Sequence, residues 1–333
     1  MTFDKMLDYV DDSTIRAMLD IPEPTDFHER RNDMYSKNSG QKANSGDIMT
    51  AATLPGLIRP EVVPTKPPPI IALNGNPGIG KTTFATRTHK PYFLRCEDGC
   101  PLEVSIPNGK EMEKVYMPGA PVGGSFQKWE DLLSALDNLI KFEHDRKTVI
   151  VDTLNAATDL CADYVLRTHC KTTARPDGCP ANFDAFGRGQ KMVAGEMRAM
   201  VSRLENLRKK NGMMVLILCH EGMLKQPNVY GDDYHKIGAS CFRGVWNLIL
   251  GFCDQVGHAT MDVTAVKDAK EGDYAKAKPK GSKDRWIYWT GDPGRDAKNR
   301  IGYELKDKMP LSYKAYAESA SCGDWWAGYL GES

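Results

Sequence analysis

One glycine-rich stretch, ending in a lysine and two threonines, holds the residue types best suited to chemistry. Residues 75–82 read Gly-Asn-Pro-Gly-Ile-Gly-Lys-Thr and fit G-x-x-x-x-G-K-[ST], a pattern that binds phosphate groups. Its glycines let the backbone fold tightly, so that successive N–H groups point at one anion. We expect the phosphates of a nucleotide to be bound by Gly75, Asn76, Pro77, Gly78, Ile79, Gly80, Lys81, Thr82 and Thr83.

Two side chains of this stretch have specific roles in such a loop. The Lys81 ammonium would reach the β- and γ-phosphates, and the Thr82 hydroxyl would bind Mg²⁺, which prefers oxygen ligands. The flanking sequence supplies the strand and the helix that the motif requires, because residues 70–73 are apolar and residues 83–90 can continue as a helix until Pro91. A glycine-rich turn that arose by chance would lack this context.

Three further polar residues follow apolar runs that predict buried strands. Glu97 follows the run at 92–96, Asp152 ends the run at 148–151, and His220 follows the run at 213–219. In α/β sheets, ligands bind at the carboxyl ends of the strands, so we expect these side chains to converge beside the phosphate loop. Asp152 would bind Mg²⁺ through its water ligands. This convergence favours hydrolysis of a nucleoside triphosphate over passive binding.

The chain divides into an arm, a core and a tail. Residues 1–20 predict an amphipathic helix with an acidic cluster, and prolines recur from residue 55 to residue 69. We therefore predict an N-terminal helix and flexible Pro-rich arm over 1–68, a catalytic core over 69–312 and a tail over 313–333. The N-terminal helix either packs on the core or docks onto a protein partner or the next subunit.

Composition limits the class of protein and its location. Of the 333 residues, 41% are hydrophobic and 26% are charged, as in soluble globular proteins. Nine cysteines without a repeating frame favour a reducing cytoplasm over a disulfide scaffold, and the spacing of Cys96, Cys100, Cys170 and Cys179 matches no standard zinc pattern. The longest apolar run is too short to cross a membrane, so we expect a cytoplasmic protein without a membrane partner.

Binding to nucleic acid would depend on a local patch, because Lys and Arg together number 44 and Asp and Glu together also number 44. Basic residues concentrate in one stretch, which contains the candidate DNA contacts Lys267, Lys270, Lys276, Lys278, Lys280, Lys283 and Arg285. The neighbouring Tyr274 and Trp286 could stack on bases. The alternative interpretation of this stretch is a solvated hairpin.

The order of these features resembles the RecA-like P-loop ATPases, closest to phage-encoded members that are described as nucleotide-binding or AAA-type ATPases. The resemblance covers residues 69–312, and residues 297–302 are similar to a Lys-x-Arg signature near the end of that core. It implies an α/β fold in which helices flank a mostly parallel sheet. It also implies ATP and Mg²⁺ as ligands, and a homo-oligomer with ATP between subunits. Some of these proteins act on single-stranded DNA in phage recombination or annealing, and would work in the host cytoplasm.

The resemblance also implies roles for individual residues. Glu97 would be the general base, and His220 would occupy the place of a glutamine that senses the γ-phosphate in RecA. Lys298 and Arg300 would reach the γ-phosphate of a neighbouring subunit. The alternatives are that Asp98 is the base, that His220 is a core histidine, and that Lys298 and Arg300 are a solvated surface pair.

Other functions fit the same loop. The protein could instead be a P-loop ATPase with a different client, such as a helicase loader or a DNA-maintenance factor. A nucleotide kinase would need an Arg-rich lid, whereas the arginines here are dispersed and Glu97 follows the second predicted strand, which favours hydrolysis. A module that binds ATP without hydrolysing it is the remaining alternative.

Overall fold

The fold is known for most of the chain after residue 66. A computed structural model describes residues 67–100, 102–108, 111–169, 183, 187–266, 278–300 and 305–320. The chain divides into two compact units, Met1–Pro64 and Thr65–Ser333, and the described residues all lie in the second unit. The predicted helix at 1–20 and most of the Pro-rich arm lie outside the described residues.

The apolar runs of the sequence form strands. In chain order these are β1 (Ile70–Gly75), β2 (Pro91–Arg95), β3 (Glu103–Asn108), β4 (Glu111–Tyr116), β5 (Gly119–Ala120), β6 (Thr148–Asp152), β7 (Met214–Gln226), β8 (Tyr234–Ala239), β9 (Gln255–Val266), β10 (Lys278–Tyr288), β11 (Lys298–Asn299) and β12 (Lys308–Pro310). Ten strands of the described part form one sheet, in the order β12-β10-β9-β1-β7-β6-β2-β5, with β8 paired to β7 and β11 paired to β9. Strands β3 and β4 pair with each other.

The centre of this sheet is parallel. Strand β1 lies between β7 and β9, and β6 and β2 continue the parallel pairing to β5. Every residue of β1 and β6 is buried, as expected for parallel strands that are covered on both faces and therefore have continuous apolar sequences. The antiparallel strands β10 and β12 extend one edge.

Helices cover the sheet, and they are α1 (Lys81–Thr86), α2 (Trp129–Lys141), α3 (Leu154–His169), α4 (Arg188–Asn211), α5 (Arg243–Phe252) and α6 (Tyr313–Ser319). Helix α2 buries Trp129, Leu132, Leu136 and Leu139, whose spacing of three and four residues predicts one apolar face. Helix α4 is followed by Gly212, whose φ of 63° forms a left-handed C-cap that glycine adopts without strain. None of the helices in these ranges is long and apolar enough to span a membrane.

The helix after the glycine-rich loop is shorter than predicted. The sequence predicts a helix that continues over 83–90, but α1 ends at Thr86. The Thr86 and Thr88 hydroxyls donate to backbone carbonyls three residues earlier, at 2.7 and 2.8 Å, and so compete with helical hydrogen bonding. Lys90 has a φ of 43°, which is incompatible with a right-handed helix.

The two faces of the sheet carry different helices. Ile70 and Ala72 of β1 pack into the core formed with α2, α3, α4 and α5, whereas Ile71 and Leu73 pack into the core formed with α1 and α6. This follows from the alternation of side chains along a strand. The first part of the predicted tail, 313–333, forms α6, whose buried tyrosines contact α1 edge-on. The predicted α/β fold, with a mostly parallel sheet flanked by helices, is confirmed.

Candidate active site

The register of the parallel strands brings the predicted chemical residues to one edge of the sheet. Gly75, the last residue of β1, lies opposite His220 of β7. Arg95, the last residue of β2, lies opposite Asp152 of β6, and Glu97 follows two residues later. The sheet therefore brings together the carboxylates and the imidazole that the sequence placed after separate strands.

The loop that follows β1 needs glycine at particular positions. Gly78 and Gly80 have φ values of 77° and 114°, a region that residues with a Cβ rarely adopt. Gly75 is required for a different reason, because a methyl group there would lie 2.4 Å from the carbonyl oxygen of Ala259 in β9. The loop is thus built from backbone that approaches its neighbours and any ligand closely.

The other residues of the loop differ in what they can present to a ligand. Asn76, Pro77 and Gly78 are exposed at the turn. The side chain of Ile79 is buried in the core, and its N–H donates to the carbonyl of Asn76 at 3.2 Å. Thr83 is exposed on the first turn of α1. Ile79 therefore shapes the loop, and its side chain is turned away from a phosphate.

The ammonium group of Lys81 is folded back over the loop. Lys81 Nζ donates to the carbonyl oxygens of Gly75 and Asn76, at 2.7 and 2.9 Å, and the residue is only 5% exposed. Burial lowers the pKa of Lys81, because the charged ammonium loses its hydration. An ammonium has three donors, so one remains for an anion held by the loop.

Thr82 and Asp152 lie side by side next to the loop. Thr82 Oγ1 donates to Asp152 Oδ2 at 3.5 Å, although the two residues are 70 positions apart in sequence. Asp152 is 2% exposed, and burial raises its pKa to about 6. The negative charge of Glu97 raises this pKa further, whereas a hydrogen bond with Cys100 and the charge of Lys81 lower it. The carboxylate is therefore poorly compensated by the protein alone.

These two oxygen groups are of the kind that Mg²⁺ takes from proteins, and Mg²⁺ binding here stays a prediction. Mg²⁺ prefers octahedral oxygen ligands and usually takes one or two from protein, with the rest from water and phosphate. No group of three His, Cys, Asp or Glu side chains that could hold a metal occurs in the part of the chain that the structure describes. A site with one hydroxyl and one carboxylate beside a phosphate loop suits a cation that arrives with a nucleotide.

Glu97 and His220 are in direct contact. Glu97 Oε2 accepts a hydrogen bond from Thr153 Oγ1 at 3.0 Å and lies 3.3 Å from His220 Nε2. The backbone N–H of His220 donates a hydrogen bond to Asn155 Oδ1 at 2.8 Å. The Nδ2 of the same Asn155 side chain donates to the carbonyl oxygen of Ser240. Asn155 was not predicted from the sequence, because a polar residue in the first turn of a helix gives no functional signal.

A second histidine–carboxylate pair lies under the loop and was also missed. His258 Nε2 is 3.0 Å from Glu221 Oε2, and His258 is almost fully buried. His258 lies opposite Asn74 in the register of β9 and β1, and neither amide atom of the buried Asn74 has a hydrogen-bond partner within the described ranges. Glu221 follows His220 directly, so its position gave a usable signal, whereas His258 lies within a strand and gave none.

Lys298 and Arg300 lie at the other end of the sheet from the phosphate loop of their own chain. Strand β11 pairs with the first residues of β9, and Arg300 Nη1 donates to Asp254 Oδ1 at 3.0 Å. The Lys298 ammonium donates to the carbonyl of Leu250. Asp254 also pairs with Arg208 at 2.8 Å. Within one chain both cations are bonded to groups next to the first residues of β9, and their action on a neighbouring subunit stays a prediction.

The predicted basic patch is only partly described. Lys267, Lys270 and Lys276 lie outside the described residues, and of Lys278 and Lys280 the structure describes only the backbone of β10. Lys283 is exposed. Arg285 is exposed as well, but its guanidinium lies against Gly80 of the phosphate loop. DNA contact by this group stays a prediction.

Comparison with protein families identifies the family of this chain. Residues 68–301 match the model of the family described as AAA domain, a family of AAA-type P-loop ATPases. The matched segment covers more than half of the chain and contains the phosphate loop together with Glu97, Asp152 and His220. A search of curated proteins found no match.

Proposed function

Because the chain belongs to the AAA domain family of P-loop ATPases, we propose that it hydrolyses ATP with Mg²⁺ in a RecA-like core. The observation that supports this best is the convergence of four side chains on one phosphate loop. Thr82 contacts Asp152, and Glu97 contacts His220, all at the same edge of the sheet. A loop that only held nucleotide would have no need of the second pair.

The loop and Lys81 would bind and neutralise the phosphates. The backbone N–H groups of the loop would donate to phosphate oxygens, and Lys81 has one donor left after its bonds to Gly75 and Asn76. Thr82 and Asp152 would hold Mg²⁺. When bound, Mg²⁺ neutralises charge on the β- and γ-phosphate oxygens. Positioning and charge neutralisation are the main contributions that a protein makes to phosphoryl transfer.

Glu97 would act as the general base on the attacking water. Thr153 and His220 both contact its Oε2, and among the described residues its Oε1 has no hydrogen-bond partner. Oε1 is thus free to take the proton as the water oxygen bonds to the γ-phosphorus and the bond to the ADP oxygen breaks. Asp98 is a weaker candidate, because it is exposed and accepts a hydrogen bond from Ser125 Oγ at 2.5 Å.

The client that fits these features best is single-stranded DNA, bound by a homo-oligomer with ATP between subunits. Support comes from β7, which continues six residues beyond His220 and pairs with β8 in a hairpin. The hairpin exposes Met223, Val229 and Tyr230, the last of which is 98% exposed. Aromatic side chains of this kind stack on unpaired bases. The resemblance to phage ATPases of recombination and annealing points to the same client.

The decisive assay is ATP turnover in Mg²⁺, with and without single-stranded DNA, over a range of protein concentrations. A rate that rises with DNA and climbs steeply with protein concentration supports sites shared between subunits on DNA. A turnover rate that does not change with DNA would support ATP hydrolysis but refute single-stranded DNA as the client. The remaining candidates would then be a protein client or a role as a helicase loader. The absence of any turnover under both conditions would refute the proposed hydrolysis itself.

A further inference from the structure

Arg285 belongs to the antiparallel edge of the sheet, but its guanidinium lies beside the phosphate loop. A methyl group on Gly80 would lie 3.0 Å from Arg285 Nη1 and 3.5 Å from Leu311 Cδ2. The backbone of Arg285 is fixed on both sides, because it pairs with Met261 of β9 and its carbonyl accepts a hydrogen bond from Leu311 N at 2.9 Å. The sheet therefore fixes the backbone from which this side chain extends to the loop.

An irregularity in β10 precedes this residue. The register of β10 against β9 shifts between Gly281 and Arg285. Irregularities of this kind bend a strand, redirect a side chain and are frequent next to active sites. Arg285 then shares its face of the strand with Ile287, which is buried in the same core as Phe84 of α1. This is the face of the sheet on which the phosphate loop enters α1.

The guanidinium of Arg285 is exposed and has no ion-pair partner among the residues that the structure describes. No acidic side chain and no carbonyl within the described ranges accepts a hydrogen bond from its guanidinium. The ammonium of Lys81, in the phosphate loop at 75–82, donates hydrogen bonds only to backbone carbonyls. Two cations beside one loop favour the binding of an anion there, and the planar guanidinium matches the oxygens of a phosphate group.

We propose that Arg285 binds the phosphate chain of the nucleotide that its own chain holds. The inference rests on the proposed function, since the ligand is the nucleotide of the same loop. It moves Arg285 from the basic group predicted to contact DNA to the nucleotide site. The role is separate from that predicted for Lys298 and Arg300, which would act on the nucleotide of a neighbouring subunit.

The test compares three variants of the full chain, Arg285→Ala, Arg285→Lys and Lys283→Ala. Lys283 is the matched control, because it is an exposed cation two residues earlier on the same strand. Calorimetric titration with ATP and with ADP, in Mg²⁺, gives the affinities, and fluorescence anisotropy gives the affinity for single-stranded DNA. Circular dichroism confirms that each variant is folded.

We expect Arg285→Ala to weaken nucleotide binding by about 10- to 100-fold, the usual worth of hydrogen bonds to a charged group. Arg285→Lys should fall between this variant and the wild type, and Lys283→Ala should bind nucleotide as the wild type does. A loss for both ATP and ADP locates the contact at the α- or β-phosphate, and a loss for ATP alone locates it at the γ-phosphate.

Two results would overturn the role of Arg285. One is a folded Arg285→Ala variant with nucleotide affinity within about twofold of the wild type. The other is a variant that loses affinity only for single-stranded DNA. A wild-type chain that binds neither ATP nor ADP would instead contradict the proposed function, so the two failures are distinguishable.

Discussion

The buried carboxyl group of Asp152 gives a prediction about stability that needs no nucleotide. Burial raises its pKa to about 6, whereas an unfolded aspartate has a pKa near 3.9. Between these two values the folded protein binds more protons than the unfolded chain does. The free energy of unfolding therefore falls as the pH rises from about 4 through about 6, and almost none of this contribution remains above about pH 7.

The magnitude follows from the two pKa values. The full difference corresponds to about 3 kcal/mol, at 1.36 kcal/mol for each pKa unit. At pH 5 about 1.4 kcal/mol of this contribution remains, and at pH 8 none does. Asp152→Asn does not titrate. Lowering the pH from 8 to 5 should therefore stabilise the wild type by about 1.4 kcal/mol relative to Asp152→Asn.

The measurement is urea unfolding of both proteins at pH 5 and at pH 8, in the presence of a chelator that removes Mg²⁺. The difference in unfolding free energy between the two proteins is compared at the two pH values. This comparison cancels the contribution of the hydrogen bonds that the amide alters, because that contribution is the same at both pH values. Asp98→Asn is the control, because Asp98 is exposed. Equal pH dependence in the wild type and Asp152→Asn, or a shift of opposite sign, would refute the conclusion that burial dominates over the nearby cations.

Two further predictions concern the packing around the site. Gly75→Ala should weaken ATP binding by more than about tenfold and destabilise the fold by about 1–3 kcal/mol, because its methyl group would lie 2.4 Å from a carbonyl of β9; calorimetric titration and urea unfolding measure the two effects. Asp254→Ala should cost about 3 kcal/mol, mainly because it leaves the largely buried Arg208 without its carboxylate, whereas the second partner, Arg300, is half-exposed. Thermal unfolding measures this cost. The control is Asp145→Ala, which removes an exposed carboxylate and its two ion pairs, and an unfolding midpoint of Asp254→Ala no lower than that of this control would contradict the prediction.

The sequence was a good guide wherever chemistry follows the end of a strand. The spacing of glycine, lysine and threonine at 75–82 is specific to phosphate-binding loops. The carboxyl ends of parallel strands lie at one edge of the sheet. Asp152, Glu97 and His220 could therefore be grouped from their positions in the sequence alone. The contacts between Thr82 and Asp152, and between Glu97 and His220, are the physical result of that geometry.

The sequence was a poor guide wherever a contact depends on register between distant strands. His258 lies within β9, and Glu221 lies in β7, on the other side of β1. The two side chains meet only because the registers of β7 and β9 against β1 place them at the same level along the sheet. Arg285 follows a run of lysines that predicts a shared role with them, but a register shift in β10 places its guanidinium beside Gly80. Such shifts have no signature in a single sequence.

The most direct test of the proposed mechanism is a comparison of Glu97→Gln with the wild type in ATP hydrolysis and in ATP binding. If Glu97 is the general base, its loss should lower turnover by at least about 100-fold, within the range that general bases contribute. ATP affinity should stay within about threefold, because the phosphate loop, Thr82 and Asp152 are unchanged. Asp98→Asn should turn over ATP as the wild type does. A Glu97→Gln variant that hydrolyses ATP at the wild-type rate would contradict the proposed site.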